Sequence, residues 1–127
     1  MRATQPKIPV PLEAEEAGTL MDYLKARRLR FTHIRNETMG QRSDGKIRNW
    51  QAVLDYQAGV SPGFPDYVVV LPGVGLAVIE LKRTKGGKLS DAQAEWIQAL
   101  NTVPGVQAER CDGAAAAIAF IERLYPL

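Results

Sequence analysis

The stretch GFPDYVVVLPGVGLAVIELKRTKGG, Gly63 to Gly87, sets two carboxylates and an ammonium, Asp66, Glu80 and Lys82, into apolar surroundings. YVVVL and LAVI carry apolar side chains on both faces, the pattern of strands that are covered on both sides. Unpaired charge in such strands is costly, so solubility does not explain it. Pro72-Gly73-Val74 has the length of a common three-residue hairpin loop. With that loop, Leu71 faces Gly75, Val68 faces Val78, and Asp66 lands opposite Glu80, with Cβ atoms about 4.5–5.5 Å apart. Glu80 and Lys82 share a face because strand side chains alternate. The three groups then converge at one end of the hairpin, and a one-residue slip in register would separate them.

Two opposed carboxylates repel unless a cation sits between them or one takes up a proton. Hard oxygen ligands suit Mg²⁺ or Mn²⁺, and the sequence has no Cys/His set for zinc. Such a metal makes a nucleophile of bound water and polarises a phosphoryl oxygen. Lys82 beside it is placed to orient the water or to stabilise charge on a scissile phosphate. The pattern therefore predicts phosphodiester hydrolysis, with Asp66 and Glu80 as metal ligands and Lys82 as the catalytic lysine. Each residue alone has a plainer explanation: an ExK is commonly a solvated strand edge, and a Pro-Asp commonly opens a turn. Their combination in apolar strands, followed by the basic loop RTKGGK, favours a site.

Such a hairpin needs helices to cover it. Residues 1–10, with Pro6 and Pro9 and no periodicity, read as a flexible arm, and residues 11–127 as a single domain. Pro11, Glu13, Glu15 and Glu16 open a helix that runs to near Arg28. RFTHIRNE (30–37) alternates as a first strand, followed by a polar, glycine-rich mobile loop over 38–45. A short helix is expected from Ile47 to Tyr56, with Trp50, Val53 and Leu54 on one face. After the hairpin, Ser90-Asp91-Ala92-Gln93 is a capping box for a helix to about Asn101, with Trp96, Ile97 and Leu100 inward. Pro104-Gly105 ends it. VQAERC (106–111) reads as a strand, and Asp112 or Gly113 caps an Ala-rich final helix to about Leu124. The order predicts an α/β fold, a mixed β-sheet flanked by helices.

Composition fits a globular chain: 46% hydrophobic and 24% charged residues. A single cysteine, Cys111, excludes an internal disulfide framework and points to a reducing, cytoplasmic setting. No apolar run reaches the roughly 18 residues of a membrane span, and no signal-peptide core is visible. The net charge is only +2. Its distribution is more telling, because Lys25, Arg27, Arg28, Arg30, Arg35, Arg42, Lys46 and Arg48 cluster against only Glu37 and Asp44. A second cluster, Lys82, Arg83, Lys85 and Lys88, holds no acid. Two basic patches suit a polyanion, through phosphate neutralisation. A solvated helix face plus a lysine-rich loop accounts for the same charges.

Gly63-x-Pro65-Asp66 followed by Glu80-x-Lys82 in an apolar strand resembles the PD-(D/E)xK nuclease superfamily. More narrowly, the chain resembles a stand-alone VRR-NUC domain of phage or bacterial type. GxPD, the hairpin, IELK, a GG-containing basic loop, Leu89-Ser90-x-x-Gln93 and Trp96-Ile97-x-x-Leu100 follow in that family's order. The resemblance implies a restriction-endonuclease-like core and Mg²⁺- or Mn²⁺-dependent cleavage of DNA. It implies that the main-chain carbonyl of Leu81 joins Asp66 and Glu80 at the metal. It also implies a glutamate from the first helix. Glu16 is favoured, because Glu16, Leu20 and Leu24 point one way; Glu13 lies on nearly the same face, and a favourable charge at a helix N-terminus explains either.

The resemblance further places Gln93 near the active site, among the residues that meet nucleic acid, although the capping box already accounts for it. Arg35, Arg42, Lys46, Arg48, Lys85 and Lys88 are then expected on the DNA backbone, positioning it without reading sequence. His33 shares a strand face with Arg35 and is more simply packed or solvated than catalytic. Trp50 and Trp96 read as core residues. Relatives of this kind imply a homodimer that cuts branched DNA, as a Holliday-junction resolvase does, in replication, recombination or repair. Ile118, Phe120, Ile121, Leu124 and Tyr125 are its candidate interface or, equally, core. Two rival expectations remain. One is a nucleic-acid-binding module whose metal site has lapsed. The other is a Mg²⁺ enzyme of small phosphate esters, for which no phosphate-cradling loop is present.

Overall fold

The structure, a computed structural model, describes residues 13–35, 50–83 and 87–127, with the backbone alone at 13 and 50–52. The expected arm over 1–10, the loop over 38–45, and Arg42, Lys46, Arg48 and Lys85 lie outside the described residues. The chain runs α1 (Glu13–Ala26), β1 (Phe31–His33), α2 (Trp50–Gln57), β2 (Tyr67–Leu71), β3 (Gly75–Lys82), α3 (Asp91–Leu100), β4 (Val106–Asp112) and α4 (Ala114–Leu124). The strands form one mixed sheet in the order β1-β2-β3-β4. β1–β2 and β2–β3 pair antiparallel, and β3–β4 pair parallel across the α3 crossover.

The hairpin has the expected register, with Leu71 opposite Gly75, Val68 opposite Val78 and Tyr67 opposite Ile79. Gly75 is indispensable there: with φ at 147°, a Cβ would lie 1.8 Å from the Gly105 carbonyl oxygen. That carbonyl accepts the Leu76 N–H at 2.8 Å, which locks the start of β3 to the turn preceding β4.

On one face of the sheet, Tyr67, Val69, Leu71, Ala77, Ile79, Leu81 and Cys111 meet α1 and α4 in a continuous core. Leu20 and Leu24, one helical turn apart, bring α1 onto it, and Ala117, Phe120 and Ile121 bring α4. Phe120 and Ile121 are therefore core residues, with Ile118, Leu124 and Tyr125 packed against them. Of the two expectations for this segment, interface or core, the core reading holds for Phe120 and Ile121. α1 ends in a Schellman motif: Arg28 N–H donates to Lys25 O at 2.9 Å and Leu29 N–H to Leu24 O at 3.0 Å. Arg28 accordingly takes φ 56°, and Leu29 buries against the core.

The other face is thinly covered. α3 has no buried residue, so Trp96, Ile97 and Leu100 are half-buried rather than inside as expected. An aromatic at helical spacing signals an inward face but not how deeply the helix sits. Leu54 in α2 is exposed as well, and Val70 on β2 is 40% exposed. β1 is also shorter than the alternation over 30–37 suggests. Among its described residues it pairs opposite Tyr67, Val68 and Val69, and the Ile34 N–H adds a bond to the Asp66 carbonyl at 2.6 Å.

Candidate active site

The site is built where β2 begins and β3 ends. Extending the register Tyr67–Ile79 by one step sets Asp66 opposite Glu80, on the face that α3 covers. Main-chain groups of alternate residues leave a strand on opposite sides. Those of Leu81 turn to the β2 side, where no strand residue continues. Asp66 Oδ2 fills the gap, accepting the Leu81 N–H at 2.9 Å. The Leu81 carbonyl leaves on that same side of the strand. Asp66 thus ends the β2–β3 ladder as well as marking the site.

Glu80 is 2% exposed, the buried charged residue of the described core. Its Oε1 accepts from Gln93 Nε2 at 2.7 Å and lies 3.4 Å from Lys82 Nζ. Gln93 serves two roles at once. Its Oε1 accepts the Ser90 N–H at 2.8 Å and its own N–H donates to Ser90 Oγ at 3.1 Å, the expected capping box. The same amide's other end reaches the carboxylate. A helix cap therefore aims a donor at Glu80.

Lys82 is gripped along its length. Its main-chain carbonyl accepts the Gly113 N–H at 2.8 Å. Its stem lies against Gly87, where a Cβ would come within 2.8 Å of Lys82 Cβ. In the parallel register Arg110 neighbours Glu80 and Asp112 neighbours Lys82. Arg110 Nε donates to Asp112 Oδ1 at 2.8 Å and its Nη2 to the Gly87 carbonyl at 2.6 Å. Arg110 and Gly87 are missing from the sequence-level expectation. Alternation along VQAERCD puts Arg110 opposite in facing to Cys111, but only the long-range β3–β4 register brings it beside Glu80.

Glu16 is placed elsewhere. Its Oε2 accepts the Ala114 N–H at the first residue of α4, whose N-cap is Gly113 with φ 87° and no side chain to offer. A carboxylate at a helix N-terminus is favoured there on both hydrogen-bonding and dipole grounds. Among the described residues no three His, Cys, Asp or Glu side chains gather to hold a metal ion. Glu16 thus binds the turn next to Gly113, whose own N–H donates to the Lys82 carbonyl. The alternative, Glu13, has its side chain outside the described set.

His33 is packed, as expected. It pairs with Tyr67 and stacks on that ring at 4.9 Å, on the α1–α4 face rather than the site face. Alternation sets which residues share a face but not which face that is. Arg35 and Lys88 are exposed, as backbone contacts would need to be. Trp96 donates Nε1–H to the Pro62 carbonyl at 3.1 Å and meets Phe64 edge-on at 5.0 Å. Through these contacts α3 holds the Gly63–Pro65 approach to Asp66. A Cβ on Gly63 (φ 92°) would lie 2.7 Å from Ala92, so that approach runs flush against α3. A cleft of about 410 Å³ opens alongside, lined by Ser61, Pro62, Ala92, Glu95, Trp96 and Ala99.

The donor set suits a hard divalent cation: two carboxylates at opposed positions, an adjoining main-chain carbonyl, and no thiolate or imidazole. Two carboxylates are few for Ca²⁺, whereas Mg²⁺ is commonly held by one or two with water and substrate phosphate completing its shell. Among the described residues no helix is long and apolar enough to cross a membrane.

No curated protein sequence matches the chain significantly. A solved structure of a VRR_NUC domain protein superimposes with a TM-score of 0.63 at 20% sequence identity, covering 92% of this chain and 90% of that one. At that identity the likeness speaks for the fold, a mixed sheet flanked by helices of nuclease type. The VRR-NUC domain model matches residues 14–115, which span α1 to the start of α4 and include Asp66, Glu80 and Lys82. Over most of its length, then, the chain belongs to the VRR-NUC domain family.

Proposed function

We propose that the chain is a metal-dependent endonuclease that hydrolyses DNA phosphodiester bonds. The observation that carries this reading is the Glu80–Lys82 contact on the face where Asp66 stands opposite Glu80. Asp66, Glu80 and the Leu81 carbonyl would hold Mg²⁺ or Mn²⁺. When bound, the ion would acidify a coordinated water and draw charge from a phosphoryl oxygen. Gln93 fixes the Glu80 carboxylate, and Glu80 in turn fixes the Lys82 ammonium. That ammonium stands where it can orient the water or meet charge growing on the phosphate. Arg35, Lys88 and the basic residues outside the described segments would contact the backbone, a mode that positions DNA without reading bases.

For substrate, we favour branched DNA cut by a homodimer, in replication, recombination or repair. Symmetric cleavage of a four-way junction needs two active sites, and the described fold offers no base-reading helix. The test uses labelled four-way junction, flap and linear duplex with Mg²⁺, Mn²⁺ or EDTA, and sedimentation for the oligomeric state. Lys82→Ala and Glu80→Gln should each lower metal-dependent cleavage by at least about 10²–10³-fold. Tight binding without cleavage under either metal would instead make the chain a nucleic-acid-binding module. Equal cutting of linear and branched DNA would leave the nuclease but remove the branch preference.

A further inference from the structure

We propose that Arg110 is a positioning residue of the site, which acts through Gly87 to set the course of the Lys82 side chain. This rests on the nuclease reading for its consequence in catalysis, though not for its geometry. A lysine stem has four rotatable carbons and a compact, strongly hydrated head, so by itself it does not hold one direction. Here three contacts direct it. Gly113 N–H holds the carbonyl of Lys82, Glu80 Oε1 holds its ammonium at 3.4 Å, and the Gly87 backbone lies on its stem.

The third contact needs a cause, because Gly87 follows β3 outside regular structure. Arg110 supplies it. The guanidinium is a rigid fork, and two of its donors are spoken for: Nη2–H reaches the Gly87 carbonyl at 2.6 Å and Nε–H reaches Asp112 at 2.8 Å. Asp112 is the β4 neighbour of Lys82, and Arg110 that of Glu80. The fork is thus anchored on β4 and pulls the returning chain down onto Lys82. A glycine is required where it lands, since a methyl there would lie 2.8 Å from Lys82 Cβ. A guanidinium that served mainly to bind DNA phosphate would not need its donors committed in this way.

The test compares Arg110→Lys, Arg110→Gln and Gly87→Ala with the unaltered chain. It measures single-turnover cleavage with Mn²⁺, DNA affinity in EDTA across a salt series, and thermal unfolding. Lysine retains the charge but cannot span both acceptors. Arg110→Lys is therefore expected to fall as far as Arg110→Gln, about 10- to 100-fold in single-turnover rate. DNA affinity should stay within about twofold and the melting temperature nearly unchanged. Cleavage retained in Arg110→Lys, with weaker binding and a shallower salt slope in Arg110→Gln, would overturn the proposal in favour of a phosphate contact.

A second readout needs no cleavage at all. After reductive ¹³C-methylation, the Lys82 signal is identified by its loss in Lys82→Arg. In the unaltered chain it should be shifted from, and broader than, the exposed lysines. In Arg110→Gln and Gly87→Ala it should move to their position and sharpen. An unmoved Lys82 signal in Arg110→Gln would refute the positioning role. A chain that cuts nothing would refute the nuclease reading and leave this outcome to stand by itself.

Discussion

On one side of β3, Ala77, Ile79 and Leu81 meet two helices and bring no charge; on the other, Val78 is followed by Glu80 and Lys82 under a single shallow helix. The same strand serves both faces, yet they are built on opposite terms. The α1–α4 face is closed by large apolar side chains. The α3 face keeps Glu80 almost fully buried, while Val70 on β2 and Trp96 and Leu100 on α3 remain partly open. Apolar closure and buried charge are thus divided across a single sheet. A buried carboxylate is tolerable because the face opposite carries the core.

The largest expected effect tests that division. Phe120→Ala on the closed face should cost about 3–5 kcal/mol of unfolding free energy, the usual range for a buried phenylalanine. Glu80→Gln should cost less, about 1–2 kcal/mol, since the amide oxygen still accepts from Gln93 although Lys82 loses its counter-charge. Denaturant unfolding measures both. A Glu80→Gln loss as large as that of Phe120→Ala would mean that the open face also supports the fold.

Cys111 probes how closed the closed face is. Burial, followed by the nearby Glu109 carboxylate, pushes its thiol up to about 12 from 9.0, against a weaker opposing pull from Arg123. A rise of that size cuts the thiolate fraction at pH 8 about a thousandfold, so iodoacetamide should label the folded chain correspondingly slowly. The proton also links to stability. Below pH 9 the thiol is neutral in both states and contributes evenly. As pH climbs from about 9 toward 12 the unfolded chain loses the proton first, and that contribution drains away. Cys111→Ala should lack this part of the alkaline loss when the two unfolding curves are compared. Fast labelling at pH 8 would show that the core opens locally.

Glu16 lies at the seam between the two faces. As a cap for α4, its loss in Glu16→Ala should cost about 1 kcal/mol, whereas Glu16→Gln, which still accepts from Ala114, should restore nearly all of it. Activity should follow the same order. If Glu16→Gln keeps full stability yet loses cleavage as Glu80→Gln does, Glu16 is a ligand and not a cap. The pair of variants therefore decides which role the helix glutamate plays.

Much of this was readable along the chain because it depends on short spacings. A three-residue turn between strands of period two sets the hairpin register, and with it the meeting of Asp66, Glu80 and Lys82. Ser90 and Gln93 declare their cap within four residues. What escaped is decided by contacts distant in sequence. Arg110 reaches Gly87 across 23 residues and Glu16 reaches Ala114 across 98. The face that His33 takes depends on which side α1 packs. The shallow seat of α3 depends on how much apolar surface the opposite face has already used. Nothing local to Trp96, Ile97 or Leu100 reports that.

The smallest expected effect lies farthest from the site. Arg28 adopts φ 56° to close α1, a left-handed conformation that costs a residue with a Cβ about 1–2 kcal/mol. Glycine adopts it freely, but a glycine also gives the unfolded chain more freedom to lose. The balance for Arg28→Gly should be a gain of about 0.5–1 kcal/mol, or roughly 2–4 °C in melting temperature. Because α1 serves the closed face, the rate of DNA cleavage should not change with it. A variant that melts higher and cuts equally well keeps the two faces independent. One that melts higher but cuts more slowly would show that Leu24 and Leu29, at the end of α1, transmit to the site through β3, and the division of the sheet would then be incomplete.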